Sequence, residues 1–218
     1  IGATYYGRPR GSLGNIGGLS FYPTKNLAGF GDGGMLTTSD PDLAARLRLL
    51  AGHGMNPRYY HREVGINSRI DTLQAGIFGV KLRYLEQWTA ARRANAPRYW
   101  QLLSDARLDQ AFGLPQATLG QGHVWNQYTV RVPAGRRDAV KAHLASCGVG
   151  AEIYYPVPLH QQQCFASLGY APGSLPATEQ AAAEVLSLPI FPELTAVEQQ
   201  TVVARLGEIF ARPMSRAA

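Results

Sequence analysis

The feature that most constrains the fold is an apolar stripe at helical spacing near the middle of the chain. Its members are Leu73, Ile77, Val80, Tyr84 and Trp88. Intervals of three and four residues place side chains on one face of an α-helix. The stripe predicts a helix that begins at Asp71, where Gln74 completes a capping-box-like pair, and continues through Leu103 with a kink or break at Pro97. A helix of this length is typical of a rod that joins two domains.

The segment before this helix predicts turns, short strands and one shorter helix. Residues 1–38 are rich in glycine and lack helical periodicity. Short strands are predicted over 16–22 and 35–38. Asp40 is a suitable N-cap for a helix over about 41–51. Together with the long helix, these elements predict a first domain over 1–99.

The segment after Gly113 has a different character. Alternation predicts a strand over 124–132, and apolar spacing predicts a helix over 138–146 that Gly148 ends. The remaining predicted elements are a strand over 149–155 and helices over 176–186 and 195–210, the last with a capping box of Thr195 and Glu198. This order predicts a small α+β domain over 100–218.

Charge and composition argue against several functional classes. The formal net charge is +6, but the arginines are scattered, which argues against nucleic-acid binding. No apolar run approaches about 18 residues, so no membrane span is predicted. Cys147 and Cys164 form neither a disulfide framework nor a Cys-x-x-Cys motif and predict free thiols in a reducing cytosol. The histidines show no metal-ligand spacing, and no metal site is predicted.

Residues 29–34 match G-x-G-x-x-G, the pattern of a dinucleotide-binding turn. That turn must open a helix whose N-terminus holds pyrophosphate. Here the next residues predict a strand, and Asp40 lies too close to be the ribose-binding acid. The pattern instead indicates glycines required for positive φ or close backbone approach. Asp32 is interpreted as a turn former rather than as a catalytic acid.

Ser20 and Lys25 lie just before this turn, in the segment Ser-Phe-Tyr-Pro-Thr-Lys. A lysine that reacts with a cofactor aldehyde needs a pocket, with hydroxyl and backbone donors nearby for the cofactor phosphate. Strand and turn geometry could place Ser20 at a phosphate while Lys25 reaches an aldehyde. By itself, a lysine after Pro-Thr is typical of a solvated loop.

A resemblance to a known family strengthens this interpretation. Several segments match one ordered pattern over nearly the whole chain: residues 20–27, 31–34, 53–54, 65–75, 154–160 and 186–192. The chain resembles the DegT/StrS family of nucleotide-sugar aminotransferases. The resemblance implies an α/β fold of the aspartate-aminotransferase type (fold type I), with part of the large domain followed by a small α+β domain.

The resemblance also implies a function. It implies pyridoxal 5′-phosphate (PLP) as cofactor and transfer of an amino group, from an amino acid such as glutamate, to a nucleotide-linked keto sugar. The product would be an amino sugar for glycan or secondary-metabolite biosynthesis. A cytoplasmic homodimer with shared active sites is expected. The alternative is a non-catalytic regulatory protein that binds PLP or a sugar nucleotide.

Five residues take roles from the resemblance. Lys25 corresponds to the catalytic lysine that binds the cofactor and shuttles the proton. Ser20 corresponds to a phosphate-binding serine, and Asn67 to an asparagine that reaches the partner subunit's cofactor phosphate. Arg69 and His160 correspond to substrate-facing residues. Two alternatives stay open: Arg69 could pair with Asp71 or with a carboxylate of the partner subunit, and His160 could be a structural hydrogen-bonder.

The chain departs from the family pattern in two ways. Asn15 and Gly76 stand where family members often carry Asp and Ala. In addition, the family's sequence before Gly2 supplies an acid for the pyridinium nitrogen, an aromatic that stacks on the ring, and further phosphate donors. We therefore expect these residues alone to be inactive or nearly so.

Overall fold

The computed structural model describes residues 1–118, 121–133 and 135–211. The chain divides into two compact units, Ile1–Ala90 with Ala117–Asn126, and Ala91–Gln116 with Gln127–Ala218. Positions 119, 120, 134 and 212–218 of the predicted small domain lie outside the described residues. The domain boundary after residue 99 stays a prediction.

The first unit contains short antiparallel strands. They are β1 (Thr4–Tyr5), β2 (Arg8–Pro9), β3 (Gly17–Ser20), β4 (Gly34–Thr37) and β5 (Gln121–Gly122). One sheet has the order β2-β1-β5, and β3 pairs with β4 in a separate hairpin. The register of that hairpin sets Ser20 opposite Gly34. Strands β3 and β4 confirm the two short strands predicted in the glycine-rich segment.

The first helix, α1 (Pro41–Ala51), has the predicted bounds. The Asp40 carboxylate accepts hydrogen bonds from the backbone N–H of Asp42 at 2.8 Å and of Leu43 at 3.1 Å. These bonds satisfy two of the free N–H groups at the helix N-terminus.

The predicted long helix is two helices, α2 (Thr72–Leu82) and α3 (Leu85–Asp105). Pro97 lies inside α3, so the predicted break is in the wrong place. Residues around Pro97, including Ala96 and Tyr99, are buried, and this packing offsets the hydrogen bond that a proline removes. In the part of the chain described, no helix is long and apolar enough to cross a bilayer.

Helix α2 also differs from its prediction at the N-terminus and in its buried face. Asp71 holds the N-cap position, but its side chain makes no capping hydrogen bond. Gln74 instead accepts from the backbone N–H of Phe30 at 2.9 Å. Leu73 of the predicted stripe is 85% exposed, whereas Phe78 is buried. A cluster of Phe21, Leu27, Phe78 and Leu85 forms the core here.

The second unit is built on one antiparallel pair and three helices. The pair is β6 (Tyr128–Arg131) with β7 (Val185–Leu188), and the helices are α4 (Arg137–Ser146), α5 (Pro176–Glu184) and α6 (Ala196–Ala211). The fully buried side chains include Tyr99, Leu103, Tyr128, Val140, Leu144, Leu186 and Leu206. Burial raises the pKa of Tyr99, whose hydroxyl donates to the Pro189 carbonyl at 2.9 Å.

Three predictions in this unit have different outcomes. The capping box is confirmed, because Thr195 N–H donates to Glu198 Oε2 at 2.8 Å and Glu198 N–H donates to Thr195 Oγ1 at 3.2 Å. The strand over 149–155 is wrong, since only the isolated bridge between Glu152 and Ser187 forms there. The helix over 176–186 ends at Glu184, because the β-branched and apolar residues after it complete β7.

Candidate functional site

An open cleft of about 1170 Å³ lies in the first unit. Three predicted site residues, Ser20, Asn67 and Arg69, line it. Further lining residues are Gly18, Tyr22, Asp32, Gly34, Arg48 and Asp71. The cleft therefore combines hydroxyl, amide, cationic and anionic side chains with glycine backbone, where a ligand can approach closely.

Ser20 ends β3 and turns its hydroxyl toward the following residues. The backbone N–H of Tyr22 lies 3.4 Å from Ser20 Oγ and donates to it. Because Oγ accepts at this position, the hydroxyl proton remains available for another acceptor. Ser20 is exposed at the cleft, so that acceptor can be a ligand.

Lys25 closes a turn directly after Tyr22. Its backbone N–H donates to the Tyr22 carbonyl at 2.8 Å, and proline at the second position of the turn presets the backbone. The side chain is half-buried. Among the described residues, Lys25 makes no side-chain hydrogen bond or salt bridge, whereas Lys141 pairs with Glu152 at 3.0 Å. The Lys25 amine is thus held near the cleft wall without a carboxylate partner.

Two asparagines hold the segment around Lys25. Asn26 Nδ2 donates to the Val124 carbonyl at 2.9 Å. Asn126 Nδ2 lies 2.9 Å from Asn26 Oδ1 and 3.2 Å from the Thr24 carbonyl. Sequence reasoning missed both residues, because they meet only through the fold and no local pattern marks them.

The glycines after Lys25 are explained by contact with α2. A Cβ on Gly29 would lie 3.0 Å from Gln74 Oε1 and from Phe78 Cζ. Gly31 has φ +142°, which side chains rarely adopt. Strand β4 follows this turn directly, so the turn opens no helix and lacks the geometry of a dinucleotide-binding motif.

Asn67 and Arg69 lie next to each other on the opposite part of the cleft lining. Arg69 Nε donates to Asn67 Oδ1 at 3.0 Å. Both side chains are exposed. Within the described residues Arg69 forms no salt bridge with Asp71, so that alternative pairing is not formed. The asparagine amide and the remaining guanidinium N–H groups are left for a ligand.

The segment that carries Asn67 is fixed to the end of α1 by close backbone packing. Ile66 N–H donates to the Leu50 carbonyl at 2.8 Å. A Cβ on Gly65 would meet the Gly54 nitrogen at 2.3 Å and the Leu50 oxygen at 2.5 Å. Gly54 itself has φ +66°. The two glycines therefore allow the backbone approach that presents Asn67.

His160 lies in the second unit and is 9% exposed. Its Nε2 atom is 3.1 Å from Glu179 Oε1. The same carboxylate accepts the N–H of Gly173 at 2.8 Å and of Leu175 at 3.2 Å. The Gly173 bond, followed by the His160 bond, lowers the pKa of Glu179. This geometry favours the structural alternative for His160, and its substrate role stays a prediction.

Comparison with known proteins gives the family. The model described as the DegT/DnrJ/EryC1/StrS aminotransferase family matches residues 1–207. A "Pleiotropic regulatory protein" of Geobacillus stearothermophilus is 47% identical over 96% of the chain and 56% of its own length. A UDP-N-acetyl-3-dehydro-alpha-D-glucosamine 3-aminotransferase of Acidithiobacillus ferrooxidans is 42% identical over 98% and 55%. The chain spans about half the length of the curated relatives it matches.

Solved structures agree with this assignment. Streptomyces venezuelae DesV, in complex with a ketimine intermediate, superposes with a TM-score of 0.89 at 38% identity, covering 97% of this chain and 56% of DesV. A DegT/DnrJ/EryC1/StrS aminotransferase from Brucella abortus gives 0.88 at 35% identity, covering 97% and 55%. The predicted fold class is thereby confirmed. The chain belongs to the DegT/DnrJ/EryC1/StrS aminotransferase family.

Proposed function

We propose that this chain forms part of a PLP-dependent aminotransferase that transfers an amino group from an amino acid, glutamate, to a nucleotide-linked keto sugar. The observation that carries the proposal is the cleft on which Ser20, Asn67 and Arg69 converge, beside the Lys25 turn. Relatives named as transaminases of dTDP- and UDP-linked sugars support the substrate class. When bound, PLP supplies an aldehyde for amines and an electron-withdrawing ring.

Lys25 is proposed to bind the cofactor aldehyde and to move the proton. Its Nζ atom, as a neutral amine, removes a proton from the amino-bearing carbon of the donor and returns a proton in the second half-reaction. The absence of a carboxylate partner among the described residues supports this role, because a salt bridge would hold the ammonium form. The turn from Tyr22 to Lys25 restricts where the amine can reach.

Ser20 and Asn67 are proposed to bind cofactor phosphates. The Ser20 hydroxyl accepts from the Tyr22 N–H, so its own proton points to an oxygen of the phosphate. The Asn67 carbonyl oxygen is bonded to Arg69, which directs the Nδ2 group outward. In a homodimer, Asn67 would donate to the phosphate at the partner subunit's site. These residues fit the phosphate of PLP.

Arg69 is proposed to bind the anionic part of a substrate. Its guanidinium keeps N–H donors free after the bond to Asn67. A diphosphate or a carboxylate can accept two of these donors at once. We propose a cytoplasmic location as well, because Cys147 and Cys164 are free thiols, which fits a reducing compartment.

The activity is tested with the complete polypeptide purified with its cofactor. Glutamate and a set of dTDP- and UDP-linked keto sugars are supplied, and 2-oxoglutarate and the amino sugar are measured together. We expect both products in equal amounts with at least one keto sugar. Formation of neither product, with the cofactor bound and the protein folded, would contradict the enzymatic proposal.

A regulatory function is the second candidate. The Geobacillus stearothermophilus relative is named a pleiotropic regulatory protein, which favours it. A regulator would bind PLP or a sugar nucleotide without turnover. The product assay separates the two, because a regulator gives a binding isotherm for the sugar nucleotide and no 2-oxoglutarate.

A further inference from the structure

We propose that His143, Cys147 and Glu208 form a zinc-binding site on the second unit, separate from the cleft of the first unit. The three residues offer a ring nitrogen, a thiol sulfur and a carboxylate oxygen that all lie within 4.8 Å of one another. Zinc binds these three kinds of ligand in proteins. The proposal does not depend on the proposed aminotransferase activity.

The two helices place the ligands by simple periodicity. Val140 and Leu144 on α4 are fully buried, and His143 and Cys147, four positions apart, share an adjacent face at its C-terminal end. Leu206 of α6 is fully buried, and Glu208 lies two positions after it. The site would therefore link the end of α4 to α6.

The distances suit a tetrahedral ion. His143 Nε2 lies 3.4 Å from Glu208 Oε2 and 3.9 Å from Cys147 Sγ. With metal–ligand bonds of about 2.0–2.3 Å, neighbouring ligand atoms of a tetrahedral zinc site are about 3.4–3.6 Å apart. A shift of a few tenths of an ångström at the cysteine completes the geometry, and a water molecule takes the fourth position.

Neighbouring groups orient the ligands. Glu208 Oε1 accepts from Arg205 Nη1, which leaves Oε2 on the side of His143. His143 Nε2 lies 2.9 Å from the Arg205 carbonyl, and in the metal-free protein it donates a proton there. Zinc would take the place of that proton, and the thiol proton of Cys147 would pass to solvent. The side chains of His143 and Glu208 are 22% and 40% exposed, so an ion can enter.

Cobalt(II) is the probe, because a thiolate ligand to this ion gives a charge-transfer absorption that water and carboxylates do not. The purified protein is titrated with Co²⁺ in the absence of chelators, and Zn²⁺ is then added as competitor. We expect one equivalent of Co²⁺ to produce the band and Zn²⁺ to abolish it. Absence of a band in the folded protein would overturn the proposal.

Variants assign the ligands. Cys147→Ser should remove the band, and Glu208→Gln should weaken Co²⁺ binding by more than about tenfold, since even groups that only orient metal ligands change affinity by 10- to 100-fold. Cys164→Ser is the matched control and should keep the band. A band that persists in Cys147→Ser, or disappears in Cys164→Ser, would refute the site.

A measurement on the unmodified protein covers the case in which a variant does not fold. Both cysteines are alkylated with and without Zn²⁺, and each labelled peptide is quantified by mass spectrometry. We expect Zn²⁺ to slow alkylation of Cys147 at least about tenfold, because the thiolate is coordinated, and to leave the exposed Cys164 unchanged. Equal rates for Cys147 with and without Zn²⁺ would exclude coordination.

Discussion

The side-chain amide of Asn126 donates a 2.9 Å hydrogen bond to Oδ1 of Asn26, a residue 100 positions earlier in the sequence. The same amide lies 3.2 Å from the carbonyl of Thr24. One side chain therefore holds both neighbours of Lys25. The position of the proposed catalytic lysine depends on a segment that is distant in the sequence and adjacent in the fold.

Replacement of Asn126 by alanine tests this dependence. We expect Asn126→Ala to lower the free energy of unfolding by about 1–2 kcal/mol, because hydrogen bonds to Thr24 and Asn26 are lost. We expect kcat of transamination to fall more than KM rises, since the lysine and not the substrate is displaced. Denaturant unfolding and steady-state kinetics measure the two effects.

The matched control is Asn15→Ala. The backbone carbonyl of Asn15 accepts from Thr38, but its exposed side chain makes no hydrogen bond within the described residues. That variant should change neither quantity. A folded Asn126→Ala enzyme with unchanged kcat would show that the two hydrogen bonds do not position Lys25.

Two glycine substitutions should have opposite effects on stability. Gly65→Ala places a Cβ 2.3 Å from the Gly54 nitrogen, and we expect a loss of at least about 2 kcal/mol because backbone must move. Gly76 lies inside α2 with nothing within 4 Å of its Cβ position. Gly76→Ala should stabilise by up to about 1 kcal/mol, from helix propensity. Thermal unfolding compares them, and equal effects would contradict the packing around Gly65.

Glu179 predicts a pH dependence of stability. Hydrogen bonds from Gly173 and His160 lower its pKa below 4.5 in the folded protein, so the stabilisation is complete above that value and is lost as pH falls through the folded pKa. Glu179→Gln should therefore be less stable than wild type at neutral pH, and the difference should shrink as the medium is acidified below about pH 4.5. Denaturant unfolding across this range measures the difference. A difference independent of pH would contradict the assignment.

Arg69 predicts a change in substrate binding. Loss of charge-assisted hydrogen bonds worth about 1.5–3 kcal/mol in Arg69→Ala should raise KM for the sugar nucleotide by at least about tenfold. Arg46→Ala is the control, since Arg46 is 66% exposed, pairs with Glu63 and is not among the cleft-lining residues. Steady-state kinetics with the sugar nucleotide varied measures both. Equal KM values for the two variants would argue against contact between Arg69 and the substrate.

Local sequence signals predicted the elements whose causes are local. The helix after Asp40 has its predicted bounds because the cap, the proline at its first position and the apolar spacing act within a few residues. The Thr195–Glu198 capping box formed for the same reason. The order of motifs along the chain then identified the family, which the residues around Lys25 could not do by themselves.

The failures trace to contacts between distant segments. Gln74 was assigned to a capping box, but its side chain binds the backbone of Phe30, 44 positions away. Residues 149–155 have the composition of a strand, yet only Glu152 pairs with Ser187. Spacing on α4 placed His143 and Cys147 together, but the third ligand of the proposed zinc site comes from α6 and is visible only in the fold.

Covalent attachment of the cofactor to Lys25 is the most direct test of the central claim. The chain contains three lysines, Lys25, Lys81 and Lys141, so peptide mass spectrometry after borohydride reduction of the PLP-loaded protein can assign the modified side chain. Lys81→Ala and Lys141→Ala are the controls. The account predicts a phosphopyridoxyl group on Lys25 in wild type and both controls, and none in Lys25→Ala. A group on Lys81 or Lys141, or an adduct that survives Lys25→Ala, would contradict it.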